Sequence, residues 1–199
     1  MLNRKIVLAS KSPRRRQLLE QIGLEFEIRE SEYEEDMGLL ADPIELVKLL
    51  ALNKAEAVKQ YYDDAIIIAA DTFVVFDGKF LGKPKDKNDA RRMLQLLNGK
   101  TNSIITGFAV LDLKSGVIIN DYDQALVIIR SLTDQDIENY IITGEPMDKA
   151  GAFGIQGVGA VIIERVDGDY HNIMGLPLSK IYMVLKDLGV DVLAVATRQ

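Results

Sequence analysis

Residues Ala65-Ile66-Ile67-Ile68-Ala69-Ala70 form an unbroken apolar run of strand length that ends in Asp71-Thr72. A strand with no polar residue on either face has to be covered on both, so the run predicts a buried central strand of a layered fold, with a carboxylate delivered at its end. A second apolar run, Ile6-Val7-Leu8, leads into a helical pattern from Leu18-Leu19, and from there helical and strand periods alternate. Phe26-Glu27-Ile28 reads as a short strand. Asp42-Pro43-Ile44-Glu45 supplies a cap, a proline at the first helical position and a Glu at the capping-box position, opening a helix that should run to about Tyr61. Residues 73–76 and 79–81 flank Asp77-Gly78 as a hairpin whose turn accepts positive φ. A helix over 88–97 closes on Gly99, 104–113 and 117–130 read as a long antiparallel pair, and Thr133 caps a helix that ends near Gly144. Residues 158–166 are expected as a further strand, and a terminal helix opens at Leu176-Pro177 and stops before Gly189. The alternation defines an α/β chain.

Composition excludes several classes of function. The chain has 199 residues with 48% hydrophobic content, enough for a substantial core in one domain or two tightly joined lobes. Its formal net charge of −6 removes any global electrostatic case for a nucleic acid polymer or an anionic membrane as partner. Without cysteine there is no thiolate metal site, and with His171 the only histidine a zinc site or a Ser-His-Asp triad is unsupported. A metal acting here would have to be held by carboxylates. No apolar run reaches the length of a membrane span and the N-terminus lacks a signal-peptide pattern, so a soluble, cytoplasmic protein is expected.

Against this acidic background the segment Ala9-Ser10-Lys11-Ser12-Pro13-Arg14-Arg15-Arg16 is a local basic site. It follows a strand, Ser12 is placed to cap a helix, and Pro13 suits the first helical position because its missing N–H has no partner there. Backbone donors, the positive end of a helix dipole, hydroxyls and guanidinium groups then gather at one end, so the segment reads as a phosphate site that would suit a polyanion. The alternative is an ordinary capped helix with a solvated basic start. Lys54 falls in the middle of the apolar arc of Val47, Leu50, Ala51 and Val58, so it needs either a partner or a snorkelling path to water. Glycines at 144, 151, 154 and 157 mark a backbone that turns tightly or lies against a ligand.

Taken together, Ala9-Ser10-x-Ser12-Pro13-Arg14-Arg15, Ala70-Asp71-Thr72, Gly82-Lys83-Pro84, Glu145-Pro146-x-Asp148-Lys149-Ala150-Gly151, Gly154-Ile155-Gln156-Gly157 and Gly175-Leu176-Pro177 resemble, in order and spacing, the motif series of the Maf nucleotide pyrophosphatases, also called septum-formation proteins. The resemblance covers nearly the whole chain and implies a single domain over 1–199. It implies a curved mixed β-sheet flanked by helices, with two lobes around a cleft, similar to the inosine triphosphate pyrophosphatases. The implied activity is hydrolysis of a nucleoside triphosphate between the α and β phosphates, with magnesium or manganese as cofactor. A homodimer is an expectation from the family alone.

The resemblance also implies roles. Ser10, Ser12 and Arg15, with Lys54 and Lys83, would neutralise phosphate charge. Lys83 could otherwise be an ordinary turn lysine. Asp71 matches the family's proton acceptor, although a carboxylate there could equally hold the metal. Glu35 matches an acidic metal position, with Glu32 and Glu34 close enough to be confused with it, and the stretch could also be a solvated acidic loop. Arg14, Thr72 and Gln156 match the branch of the family that takes dTTP and UTP, with modified pyrimidine triphosphates as an extension. A Gln amide offers the donor and acceptor that the O4/N3–H edge of uracil or thymine needs, unless it is spent on its own glycine loop. The alternatives are the branch that takes 7-methyl-GTP, and a non-hydrolysing nucleotide-binding regulator of cell division. Two residues depart from the family pattern: Asn102 stands where a His is common, and Phe153 where a Tyr is common. His171 is expected to be structural.

Overall fold

The computed structural model describes residues 4–33 and 42–196. The strands are β1 (Ile6–Leu8), β2 (Glu27–Ile28), β3 (Ile66–Phe76), β4 (Lys79–Leu81), β5 (Thr101–Asp112), β6 (Val117–Ile129) and β7 (Ile163–Asp167). The helices are α1 (Pro13–Gln21), α2 (Pro43–Lys59), α3 (Lys87–Leu97), α4 (Asp134–Ile142), α5 (Tyr170–Met174), α6 (Leu178–Asp187) and α7 (Val192–Ala196). The seven strands form one sheet in the order β2-β1-β3-β5-β6-β7, with β4 paired to β3. The pairs β1/β2 and β1/β3 are parallel, and β3/β4 and β6/β7 are antiparallel, so the sheet is mixed as expected.

The chain divides into two compact units, one built from Met1–Asp71, Thr106–Asp123 and Gly175–Gln199, the other from Thr72–Ile105 and Gln124–Met174. In the first unit Leu8 stands opposite Ile28 on one side and Ile68 on the other. Its core is rich in small side chains, with Ala9, Ala51, Ala55, Ala65, Ala69 and Ala109 packed among Val7, Val58, Ile67 and Leu111. Small residues let α2 lie close on the strands. At Gly107 the approach reaches its limit, because a Cβ there would sit 2.4 Å from both the carbonyl carbon and the oxygen of Val47. Arg4 pairs with Asp112, and its Nη2 also lies 3.0 Å from Asp64.

The second unit has its own core, in which Met93, Leu94 and Leu97 of α3 and Ile137, Tyr140 and Ile141 of α4 pack with Val74, Leu81, Val127, Ile129 and Phe153. Its local signals behave as their chemistry dictates. Asp77 (φ 50°) and Gly78 (φ 70°) make the tight turn between β3 and β4, and Thr133 and Asp136 close a reciprocal capping box on α4.

Some expectations are corrected. The run at 65–70 does not end at Asp71; β3 continues as one strand of 11 residues to Phe76 because Phe73 and Val74 are again buried. Residues 158–166 are not one strand, since a 3-10 helix, Gly157–Ile162, precedes β7. There the N–H groups of Val158 and Gly159 donate to the Glu145 carboxylate and are lost to any ladder. The five-residue helices α5 and α7 are too short to leave a period in the sequence.

Replacing Gly107 by Ala forces backbone to move against backbone, so Gly107→Ala should destabilise the fold by at least about 2 kcal/mol and lower Tm by about 5 °C or more in a thermal melt. The hydrogen bond from Arg4 holds the Asp112 carboxyl at about 2, below its ordinary 3.8. A carboxyl held low in the folded state stabilises it above the unfolded value and loses that contribution as pH falls. Urea unfolding should therefore give Asp112→Asn a deficit of about 2 kcal/mol at pH 6 that shrinks steadily between pH 4 and pH 2.

Candidate active site

The parallel strands β1 and β3 run together to Leu8 and Ile68, and the N–H of Ala9 still donates to the Ile68 carbonyl at 2.8 Å. Beyond that level β1 gives way to Ser10–Ser12 and α1, while β3 reaches Asp71. The space past the carboxyl ends of parallel strands is where open α/β sheets receive ligands.

Ser10 is buried, and its Oγ accepts from the N–H of Ser12 and from Nη1 of Arg15, each at 3.2 Å. Arg15 Nε donates to the Gly175 carbonyl at 2.8 Å, so two contacts fix the plane of the guanidinium. Ser12 does occupy the N-cap position, with Pro13 following it, but its hydroxyl makes no cap hydrogen bond. The expected cap is thus absent, and Ser10 Oγ organises the turn instead. The Ser12 hydroxyl leaves the first-turn N–H groups to other acceptors. Arg14 is half-buried on the same turn.

Lys54 lies on the buried face of α2, as its place in the apolar arc requires, and Nζ donates to Asp71 Oδ1 at 2.6 Å. Both residues are largely shielded, at 9% and 7% exposure. The sequence suggests a substrate phosphate as the partner of Lys54; in the structure an in-chain carboxylate holds it. One residue earlier, Asn53 Nδ2 donates to the Tyr33 hydroxyl at 3.0 Å, which ties Tyr33, within the acidic stretch, to α2. Glu32 is exposed, and Glu34 and Glu35 lie outside the described residues.

Thr72, Lys83 and Gln156 belong to the second unit. Thr72 is half-buried and next in chain to Asp71. Lys83 is exposed, and among the described residues its ammonium has no ion pair. The loop that carries it is anchored by buried Pro84 and by the Gly82 carbonyl, which accepts from the N–H of Gly151 at 3.0 Å. Gln156 is half-buried, and among the described residues its amide has no hydrogen-bond partner, so it is not spent on its own glycine loop. Asn102, in the place of the common His, is buried and donates to the Val127 carbonyl at 3.0 Å, and Phe153 belongs to the core. His171 stands 3.3 Å from Asp169 through Nδ1, and its backbone N–H donates to the same carboxylate. Two contributors were not singled out by sequence reasoning. The Gly175 carbonyl holds Arg15, and the Glu145 carboxylate gathers N–H groups from the loop after Gln156. Gly175 opens the Gly175-Leu176-Pro177 motif and Glu145 the Glu145-Pro146-x-Asp148 motif, and membership of a motif is the one signal the sequence carries for either.

Among the described residues no three Asp, Glu or His side chains converge as a ready-made metal cage. A magnesium-type ion does not require one, since it keeps several waters and is held by one or two carboxylates together with substrate phosphates. The hard oxygen donors of Asp71 fit that mode of binding. No helix among the described residues is long and apolar enough to cross a membrane.

The chain is a mixed α/β protein, and its fold is similar to that of a solved HAM1 protein. A HAM1 protein from Coxiella burnetii superposes on 92% of this chain and 99% of its own with a TM-score of 0.53, at 14% identity. The chain belongs to the Maf family, whose model, "Maf-like protein", matches residues 5–188. A dTTP/UTP pyrophosphatase from Bacillus cereus (strain AH187) is 44% identical over 189 residues, 95% of this chain and 98% of that protein. A dTTP/UTP pyrophosphatase from Thermoanaerobacter sp. (strain X514) is 49% identical over 183 residues, 92% and 95% of the two chains.

Removing one partner of a buried ion pair leaves the other charged group in a poor solvent. Lys54→Met should cost about 3 kcal/mol in urea unfolding, and the double variant Lys54→Met/Asp71→Asn should recover a large part of it. The exposed Arg16–Glu20 pair is the control: Glu20→Gln should change stability by less than about 0.5 kcal/mol.

Proposed function

We propose that this chain hydrolyses nucleoside triphosphates, dTTP and UTP before others, to the monophosphate and pyrophosphate. The observation that carries the proposal is the buried Lys54–Asp71 pair, 2.6 Å apart, in a chain 44% and 49% identical to proteins named for that reaction. Breaking a phosphoanhydride needs a positioned water, an acceptor for its proton and cations for the charge that develops on the leaving group. Asp71 is the acceptor. A water attacks the α-phosphorus, its proton passes to the Asp71 carboxylate, and the bond to the α–β bridging oxygen breaks as pyrophosphate departs. The proton then leaves Asp71 for solvent.

Arg15, fixed by Ser10 and Gly175, and the Ser10 and Ser12 region of the α1 start bind phosphate oxygens. Lys54 serves two partners in sequence, Asp71 in the free protein and phosphate when substrate is present. Lys83 supplies further positive charge to the pyrophosphate. Arg14, Thr72 and Gln156 set the preference for the pyrimidine, with the Gln156 amide on the O4/N3–H edge. Asp71 and Glu35 would hold a divalent ion such as magnesium or manganese, which would supply Lewis-acid charge to the phosphate oxygens. A single domain over 1–199 carries the activity, and the reaction runs in the cytoplasm, where nucleotide pools are replenished.

The test is pyrophosphate release from dTTP, UTP, CTP, dATP, GTP, 5-methyl-UTP and 7-methyl-GTP, with and without magnesium or manganese. Metal-dependent turnover of dTTP and UTP is the expected result. Turnover of 7-methyl-GTP alone would keep the chemistry and remove the Arg14/Thr72/Gln156 assignment, and silence with every nucleotide would favour a binding protein. Asp71→Asn should lower kcat at least about a hundredfold while nucleotide still binds.

A further inference from the structure

Gln156 is the N-cap residue of the 3-10 helix Gly157–Ile162, yet its side chain makes no cap hydrogen bond. The cap comes from elsewhere in the chain. Glu145 Oε2 accepts from the N–H of Val158 and Oε1 from the N–H of Gly159, each at 2.8 Å. These are the donors that an N-cap side chain normally takes. Oε1 also accepts from the Tyr140 hydroxyl at 2.9 Å, and that hydroxyl in turn accepts from the N–H of Gly154 at 3.2 Å. Glu145 and Tyr140 therefore grip the loop on both sides of Gln156. Burial and the hydrogen bond to Glu145 push the Tyr140 hydroxyl well above its ordinary value, so it stays a donor.

The glycines of the loop are the counterpart of this grip. A Cβ on Gly157 would lie 2.5 Å from Glu145 Oε2, and one on Gly159 would lie 2.3 Å from the Gly154 carbonyl oxygen and 2.5 Å from the Tyr140 hydroxyl oxygen. Gly157 also has φ +66°, a backbone state that suits glycine. Backbone and carboxylate approach closely only because these side chains are missing.

We propose that Glu145 is a positioning residue for substrate selection. It caps the helix in place of Gln156 and so holds that residue's backbone while leaving its amide for the base of the nucleotide. The proposal rests on the assignment of Gln156 to the base given above.

The test separates base from phosphate. Dissociation constants are measured by calorimetry, in magnesium, for α,β-methylene-UTP and for inorganic tripolyphosphate, which shares the phosphates and has no base. The proteins are wild type, Glu145→Gln, Tyr140→Phe, Gln156→Ala and the double variant Glu145→Gln/Gln156→Ala. Glu145→Gln should weaken the nucleotide about tenfold, because an amide cannot accept from both N–H groups through two oxygens, while tripolyphosphate changes by less than about twofold. Tyr140→Phe should give a smaller loss of the same kind, and it decides the matter if Glu145→Gln does not fold. In the Gln156→Ala background Glu145→Gln should add nothing.

Equal weakening of both ligands would make Glu145 a general structural residue and overturn the proposal, as would no change in either. If Gln156→Ala weakens the nucleotide and Glu145→Gln does not, the proposal fails while the assignment of Gln156 stands. If Gln156→Ala changes nothing, the assignment of Gln156 fails and takes the proposal with it.

Discussion

The height at which α2 rides over the sheet controls much of the first unit. Gly107 lets the backbone of Val47 come down onto β5, and the alanine-rich interface continues that closeness along the helix. Lys54 follows Val47 by seven residues, two helical turns, and so faces the same way. Its ammonium meets Asp71 on β3 at 2.6 Å, a distance set by backbone packing as much as by charge. A bulkier interface would lift the helix and part the pair.

A carboxylate organises each unit in a different way. In the first, Asp71 meets a cation inside the fold, which costs both groups their hydration. In the second, Glu145 meets neutral N–H donors and shapes a loop. Arg15 is a third case, a cation held by a hydroxyl and a carbonyl with no carboxylate among those two contacts. The direction of its guanidinium is thereby already set in the free protein.

Much of the fold was legible because it rested on local chemistry. The apolar runs at Ile6–Leu8 and from Ile66, the Asp42 cap, the Asp77-Gly78 turn and the Thr133 capping box are each decided by a few neighbouring residues. The misses came where distant residues decide. Val158 and Gly159 lose strand pairing to Glu145, which is 13 and 14 residues away in sequence. The Ser12 hydroxyl looked like a cap because cap preference is a local rule, and Ser10 Oγ took over the turn. In the site, the buried place of Lys54 was readable from helical periodicity, but its in-chain partner was not, because nothing in the sequence pairs α2 with β3. The Gly175 carbonyl carried no side-chain signal at all.

The division of labour at the Gly157–Ile162 helix bears on how such a protein can change. Where a cap residue both holds its helix and touches a ligand, altering its ligand chemistry also unsettles the fold, and the two demands restrain each other. With the cap moved to Glu145, position 156 carries no such double burden. A change of side chain at 156 therefore removes no cap hydrogen bond, and the loop keeps its shape through it.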